Sequence, residues 1–302
     1  MIYLFLAICC SLALGAIFKH ISGLGLDRMQ LLAYNYLVAS AVGVSLLSAR
    51  NPAAVQFLRD PPFLGLAVGT GFVLVCGFFV FALSTERAGM SMTVAVMRVG
   101  VAIPFLASWL LWGEDPTLGQ WIGLGLVAAA LFMITRPKSP SGSGARSAAT
   151  SGPGIHPASG AGGSVASILL LVFITGGSAD LMFKGFDVKF GGQVGEDAFI
   201  TVAFGVAFLL SALVLTLRRE PLRDVPATVL WGGLLGLVNY GSLLFILGAV
   251  ARLPAAVVFP TNAVAIVVGA AALGVIIWKE ELSLLNRAGV GLAAVAVLFL
   301  NA

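Results

Sequence analysis

The chain has 302 residues, of which 10% are charged and 59% are hydrophobic, and its formal net charge is +4. Soluble domains usually carry roughly 25% charged residues, so this composition excludes an ordinary globular protein and indicates an integral membrane protein. The basic residues are scattered singly between apolar segments and form no stripe, which argues against nucleic acid as a partner. We therefore expect the chain to lie in a lipid bilayer.

Ten apolar segments follow one another along the chain, each near the roughly 20 residues that cross a bilayer as a helix. They cover residues 2–19, 29–48, 63–83, 91–112, 118–135, 165–186, 197–217, 227–250, 255–278 and 285–301. They are apolar on all sides, which favours helices over the alternating strands of a barrel. A signal peptide is the alternative for the first segment, but the basic start and the small-residue cleavage site are missing.

Arg98 is the one charge within segment 91–112, about two turns from its start. A charge at membrane depth costs at least about 2.5–3.5 kcal/mol, so it is a functional candidate. Ser91, Ala95 and Ala102 share its helix face, and such small residues suit a bundle interior, so we expect Arg98 to point inward. There it would bind the anionic group of a solute; holding backbone carbonyls is the alternative.

Residues 139–163, SPSGSGARSAATSGPGIHPASGAGG, consist mainly of Ser, Gly, Ala and Pro. This composition buries too little apolar surface to fold and predicts a flexible linker, to which we give the bounds 138–164. The linker separates a first five-helix unit, residues 1–137, from a second one, residues 165–302.

Further polar residues lie among apolar ones in the first, second, sixth, eighth and ninth segments. Asp180 and Lys184 are four residues apart, so they share a helix face and can pair. Asp180 is the predicted proton carrier if transport is coupled to protons, and a mutually neutralising pair is the alternative. Lys19 is a weaker candidate because a lysine at a helix end can extend to the headgroups. The uncharged candidates for solute binding are Asn35, Tyr36, Asn239, Tyr240 and Asn262, which equally could join helices.

Pro104 and Pro260 fall inside the fourth and ninth segments. A proline within a helix frees a backbone carbonyl and favours a kink, so both are predicted hinges. Simple bends are the alternative, and the two positions are not related by the repeat described next.

Four features recur in the same order at an offset of 165 to 167 residues, which predicts an internal repeat. They are Phe18-Lys19 with Phe183-Lys184, Gly65-xxx-Gly69 with Gly232-xxx-Gly236, Trp112-Gly113-Glu114 with Trp278-Lys279-Glu280, and Gly123-Leu124-Gly125 with Gly289-Val290-Gly291. Because five is an odd number of helices, the second unit must enter the membrane from the opposite side. The predicted fold is all-α, with ten transmembrane helices as two inverted five-helix repeats, an arrangement common among secondary transporters. A duplicated scaffold without transport is the alternative.

The segments AIPFLASWLLWGEDPTLGQWIGLGLVAAALFMI (102–134) and AIVVGAAALGVIIWKEELSLLNRAGVGLAAVAVLFL (265–300) resemble the EamA-like members of the drug/metabolite transporter superfamily. Each half has a helix ending in Gly-Glu or Lys-Glu, a short loop and a Gly-rich helix. The resemblance implies a ten-helix carrier for small solutes such as amino acids, sugars, nucleotide-linked metabolites or drugs. It also implies that Glu114 and Glu280 mark helix ends and are structural.

The positive charges indicate the orientation in the membrane. With ten spans, one face carries Arg50, Arg59, Lys184, Lys189 and Arg252. The other face carries Lys19, Arg28, Arg87, Arg136, Lys138, Arg146, Arg218, Arg219, Arg223, Lys279 and Arg287. Since cytoplasmic loops collect Lys and Arg, we expect a multi-pass protein of the inner (cytoplasmic) membrane with a cytoplasmic linker and both termini outside.

The leading functional hypothesis is a secondary transporter that moves a small polar metabolite, amino-acid-like or an organic anion, by alternating access. Export is implied by the family resemblance; a sugar or organic-anion importer and a non-transporting membrane sensor or partner protein are the alternatives. An enzyme is not expected, because the sequence has two histidines, no H-E-x-x-H, and a single intramembrane aspartate that cannot form a catalytic dyad. The absence of a G-x-x-x-x-G-K-[ST] motif for ATP favours secondary transport. We expect neither a cofactor nor a metal, and a monomer or homodimer.

Overall fold

The structure is a computed structural model that describes residues 1–21, 24–50, 59–88, 93, 96–97, 99–135, 162–218, 222–278 and 284–300. Within these ranges lie ten helices of eleven residues or more, which we number α1 to α10. They are α1 (Ile2–Ile21), α2 (Arg28–Arg50), α3 (Pro61–Ala88), α4 (Ala102–Trp112), α5 (Leu118–Thr135), α6 (Gly162–Phe190), α7 (Glu196–Arg218), α8 (Val225–Val250), α9 (Ala255–Trp278) and α10 (Leu284–Leu300).

Five helical segments of the described part are long and apolar enough to cross a membrane. These are Arg28–Ser48, Pro61–Phe81, Val165–Phe190, Glu196–Arg218 and Val225–Val250, and shorter apolar segments are Ile2–Phe18, Ala102–Trp112, Leu118–Ala130 and Ala255–Gly269. For the described residues, an all-helical, multi-pass membrane protein is therefore confirmed, because a helix pairs its backbone groups within itself and can cross a membrane when it is long and apolar enough.

The fourth predicted segment is not one continuous helix over 91–112. The described residues show a turn at Gly100 and Val101, and α4 begins at Ala102. The reason is Pro104, which has no N–H to donate to the carbonyl of Gly100; the N–H of Ile103 donates to it instead, at 2.9 Å. Pro104 thus perturbs the chain one turn before its own position.

The sixth helix starts earlier than predicted. The sequence placed the linker at 138–164, whereas α6 begins at Gly162. Helix ends tolerate residues of low helix propensity, since the first-turn N–H groups have no intrahelical partner in any case. The rest of the linker, residues 138–161, lies outside the described residues.

The principal helix contacts join the first five helices to the last five. They are α5–α10, α2–α7, α2–α8, α1–α8, α3–α6 and α3–α7. Each of the first five helices has a counterpart five places later in the chain. If every helix is exchanged for its counterpart, the pair α1–α8 becomes α6–α3, and the pair α2–α8 becomes α7–α3. Both of these counterpart pairs are in contact.

The counterpart helices α2 and α7 run antiparallel. Gly43 of α2 faces Thr201 of α7, whereas Ser40, earlier in α2, faces Gly205, later in α7. The helix pair α1–α8 is also antiparallel, because Tyr3 packs on Gly248 and His20 lies 4.9 Å from Trp231 between ring centroids.

The helices α3 and α6 are antiparallel, as α1 and α8 are. The ring centroids of Phe63 and Phe190 are 5.6 Å apart, and Gly77 faces Thr175. The turns that follow α1 and α6 match as well: Gly25 has a φ of 66° and Gly192 a φ of 78°, values that a glycine adopts without strain.

The bundle has two ends that we name by a residue. At the Lys184 end, α6 ends at Phe190 and α7 begins at Glu196; at the Gln30 end, α2 begins at Arg28 and α7 ends at Arg218. An aromatic cluster fills the Lys184 end between α3, α6 and α7, with ring centroids 4.4 to 6.5 Å apart. Its members are Phe63, Phe186, Phe190 and Phe199.

Candidate functional site

Asn35 and Asn239 meet where α2 and α8 approach most closely. A Cβ on Gly232 would lie 2.7 Å from Tyr34 Cβ, and one on Gly236 would lie 3.0 Å from Val38 Cβ, so the repeated Gly-xxx-Gly motif makes the approach possible. Asn239 Nδ2 donates to Asn35 Oδ1 at 3.3 Å. Two predicted site residues, Asn35 in the first half of α2 and Asn239 near the middle of α8, are thus in direct contact.

Tyr36 and Tyr240 both pack against Phe204 of α7. Their ring centroids are 5.9 and 6.3 Å from that of Phe204, and both tyrosines are buried. The hydroxyl of Tyr36 lies 3.5 Å from the carbonyl of Leu74 on α3. The predicted candidates of α2 and α8 therefore share one interface with both α3 and α7.

A serine pair extends this polar contact toward α1. Ser11 Oγ and Ser242 Oγ are 3.0 Å apart, and Ser242 follows Asn239 by three residues, so the two share a face of α8. We call Ser11, Asn35, Asn239 and Ser242 the polar strip. Sequence reasoning missed both serines, because a lone serine in an apolar helix gives no signal of its partner.

Near its break, α4 packs against the backbone of α6. A Cβ on Gly177 would lie 2.6 Å from Ile103 Cδ1, and one on Gly100 would lie 3.1 Å from the Gly177 nitrogen. Asp180 follows one turn later and is half-buried. Arg98, the main predicted site residue, lies outside the described residues, and so does the side chain of Lys19.

Lys184 is 5% exposed and bridges α6 to the end of α4. Its Nζ lies 2.6 Å from Glu114 Oε1 and 3.5 Å from Asp187 Oδ2, two carboxylates that the four-residue spacing to Asp180 did not predict. Coulomb attraction favours the nearest carboxylates, and tertiary packing supplied a closer one than the helix did. Lys184, Glu114 and Asp187 form what we call the Lys184 cluster.

Glu114 is held in place by the end of α4. Gly113 adopts a left-handed φ of 66° and stops the helix, and the Glu114 N–H donates to the Ser108 carbonyl at 3.1 Å. Glu114 does follow a helix end, as the family resemblance implied, and its ion pair with Lys184 also joins the end of α4 to α6. The repeated position of Glu114 was the sequence signal that could have raised it to a candidate.

A second charged contact lies near the Lys184 cluster. Arg252 Nη1 is 4.0 Å from Glu196 Oε1 and donates to the Gly248 carbonyl at 2.7 Å, while its guanidinium lies 4.3 Å from the Tyr3 ring centroid. The arginine thereby connects the end of α8 to α7 and α1. Together with the aromatic cluster, these contacts hold the helices together at the Lys184 end.

Pro260 is buried inside α9, and two polar residues follow it directly. Thr261 Oγ1 and Asn262 Oδ1 are buried atoms without a hydrogen-bond partner among the described residues. Since buried polar atoms normally find a partner, these two are positions at which water or a solute can bind. Asn262 therefore stays among the site candidates.

Composition, helix lengths and apolar helix faces define a multi-pass helical membrane protein. Its first unit identifies the class further: residues 1–136 match the model of the EamA-like transporter family. The predicted resemblance to this family is therefore confirmed over residues 1–136 of the 302. This is a family of transporters rather than of enzymes.

Two further comparisons cover nearly the whole chain. An uncharacterized protein of Haemophilus influenzae is 27% identical over 297 residues, which are 95% of this chain and 93% of that protein. A solved crystal structure is similar with a TM-score of 0.74 at 18% identity, covering 99% of this chain and 94% of the other. At that identity the structural likeness concerns the fold alone.

Proposed function

We propose that the protein is a secondary transporter that exports a small polar metabolite, amino-acid-like or an organic anion, across the cytoplasmic membrane by alternating access. The observation that carries the proposal is the antiparallel course of the counterpart helices α2 and α7, with polar side chains buried between the two units. The match of residues 1–136 to the model of the EamA-like transporter family supports transport as the activity.

The two units are proposed to be inverted repeats. Counterpart helices of units with the same orientation would run parallel, whereas α2 and α7 run antiparallel. Two further observations support inverted repeats. The contact α1–α8 has a counterpart contact, α3–α6, and the turns after α1 and α6 both contain a left-handed glycine, Gly25 and Gly192. Inverted units can rock about a site at their interface, opening it to one side and then the other.

The solute site is proposed at the polar strip, where the units meet near mid-depth. Amide and hydroxyl groups can hydrogen-bond a solute's carboxylate, amide or hydroxyl. Arg98 and Lys19 are the proposed partners of an anionic group, and Asp180 is the proposed proton carrier. Tyr36, Tyr240 and Asn262 complete the proposed lining, with Pro104 and Pro260 as hinges.

Lys184 is proposed to act at one end of the pathway. It is held by Glu114 of the other unit, and the aromatic cluster lies at the same end. Opening this end would require the ion pair to separate. Its proposed contribution to transport is therefore closure of the Lys184 end.

The experiment that tests the proposal is solute flux in proteoliposomes. We expect the purified protein to move a labelled amino acid or organic anion, Arg98→Met to abolish the flux while the protein stays folded, and Arg98→Lys to retain part of it. Solute binding that never leads to flux would favour the sensor alternative, and full flux in Arg98→Met would remove Arg98 from the pathway.

A further inference from the structure

The first turn of α2 holds the segment that precedes α8. Gln30 is 2% exposed; its Nε2 donates to the carbonyl of Arg223 at 3.0 Å, and its Oε1 accepts from the N–H of Arg223 at 3.1 Å. A primary amide that bonds both backbone groups of one residue fixes that residue in position and orientation. The position of Arg223 is therefore set by the other five-helix unit.

The backbone next to Arg223 is strained, which such an anchor can sustain. Asp224 has a φ of 41°, in the left-handed region that residues with a Cβ seldom adopt. The Asp224 carbonyl accepts from Thr228 Oγ1 at 3.0 Å. The hydrogen bonds to Gln30 therefore hold this segment in one shape despite the strain.

A cavity of about 120 Å³ opens beside this anchor, between α2, the end of α7 and the segment before α8. Its volume is enough for several water molecules. Arg218 and Arg223 line it, and neither guanidinium forms an ion pair with another described residue. Asp27 lines it too, but its Oδ1 already accepts from the Gln30 N–H at 2.8 Å. The charged groups that line the cavity are therefore two guanidinium groups and one carboxylate.

The depth of the cavity favours a lipid over a dissolved ion. Arg218 is the last residue of the span Glu196–Arg218, and Arg28 is the first of the span Arg28–Ser48, so the cavity lies where headgroups begin. Leu215 and Leu222 line it, and Leu222 is 52% exposed, which provides an apolar surface for the adjoining glycerol and acyl chain.

We propose that this cavity binds the phosphate of an anionic phospholipid, held by the guanidinium groups of Arg218 and Arg223. Arginine pairs with phosphate through parallel charge-assisted hydrogen bonds, and two arginines suit a phosphodiester. Because the cavity contacts both units, a bound lipid stabilises their contact at the Gln30 end. The proposal is independent of which solute the protein moves.

The test is thermal unfolding of the full-length protein in detergent, titrated with phosphatidylglycerol. We expect a saturable rise in Tm, and no comparable rise with phosphatidylcholine of the same acyl chains. The variant Arg218→Gln/Arg223→Gln changes exposed residues and should fold, with an apparent affinity for phosphatidylglycerol weaker by about tenfold or more. Arg87→Gln removes a charge at the same end outside the cavity and should leave the affinity unchanged.

Three results would overturn the proposal. An equal response of the double variant and the unaltered protein would place the lipid elsewhere. An equal response to phosphatidylcholine would remove the role of charge. A response to inorganic phosphate that matches phosphatidylglycerol at the same concentration would assign the cavity to a free anion.

Discussion

Lys184 Nζ of α6 lies 2.6 Å from Oε1 of Glu114, which follows the end of α4. The lysine is buried, while the Glu114 side chain is 30% exposed, so solvent screens part of the attraction. Breaking the pair should lower the stability of the fold more than forming it raises it, because a buried ammonium that loses a carboxylate is poorly solvated.

Replacement of Glu114 by Gln should therefore destabilise the protein. We expect a loss of about 1–3 kcal/mol, since Asp187 remains as a more distant partner at 3.5 Å. Thermal unfolding in detergent measures it. Asp115→Asn removes a charge from the adjacent, exposed residue and is the matched control; equal effects of the two substitutions would show that the ion pair contributes nothing.

The repeat offset predicts a second ion pair like that of Lys184 and Glu114. Lys184 corresponds to Lys19, and Glu114 corresponds to Glu280. The side chains of Lys19 and Glu280 lie outside the described residues, so this is a prediction from the repeat alone. In a double-mutant cycle with Lys19→Met and Glu280→Gln, we expect a coupling of about 0.5–3 kcal/mol. Additive effects within error would contradict the correspondence.

The hydrogen bond between Asn239 and Asn35 allows a test of its two possible roles. Asn239→Leu leaves the buried Asn35 amide without this partner, which should cost about 1–3 kcal/mol, whereas replacing both residues by Leu should be closer to neutral. We expect the double variant to be folded but inactive in flux assays. Recovery of both stability and flux would mean that the pair serves only to join the helices.

The crossing of α4 and α6 should not tolerate a methyl group. Gly177→Ala would place a Cβ 2.6 Å from Ile103 Cδ1, and we expect a loss of about 1–3 kcal/mol together with reduced flux. Gly185→Ala lies on the same helix with no heavy atom within 4 Å, so it is the matched control and should be neutral or slightly stabilising. Similar melting temperatures for the two variants would disprove a tight crossing.

Helices could be predicted well from the sequence because a bilayer leaves the backbone few options. Nine of the ten apolar segments agree with observed helices to within a few residues at each end. The start of the fourth helix could not be predicted, since the periodicity of residues 91–112 shows no sign of the turn at Gly100 and Val101. That turn depends on how the carbonyl freed by Pro104 finds another donor.

The site was harder to predict than the fold. Pairing of Asn35 with Asn239 follows from the close approach of α2 and α8, and both residues were candidates already. The partner of Lys184 was missed because helical spacing identifies Asp180 as a neighbour, whereas Glu114 comes close through packing of α4 on α6. Spacing along one helix gives no information about such contacts.

The opposite orientation of the two units is tested most directly by labelling the turns after α1 and α6. In a protein without Cys9, Cys10 and Cys76, a cysteine is placed at Leu24 or at Gln193, both exposed. A membrane-impermeant maleimide applied to intact cells should label Gln193→Cys, and should label Leu24→Cys only after the membrane is opened. Labelling of both positions from the same side would contradict the account.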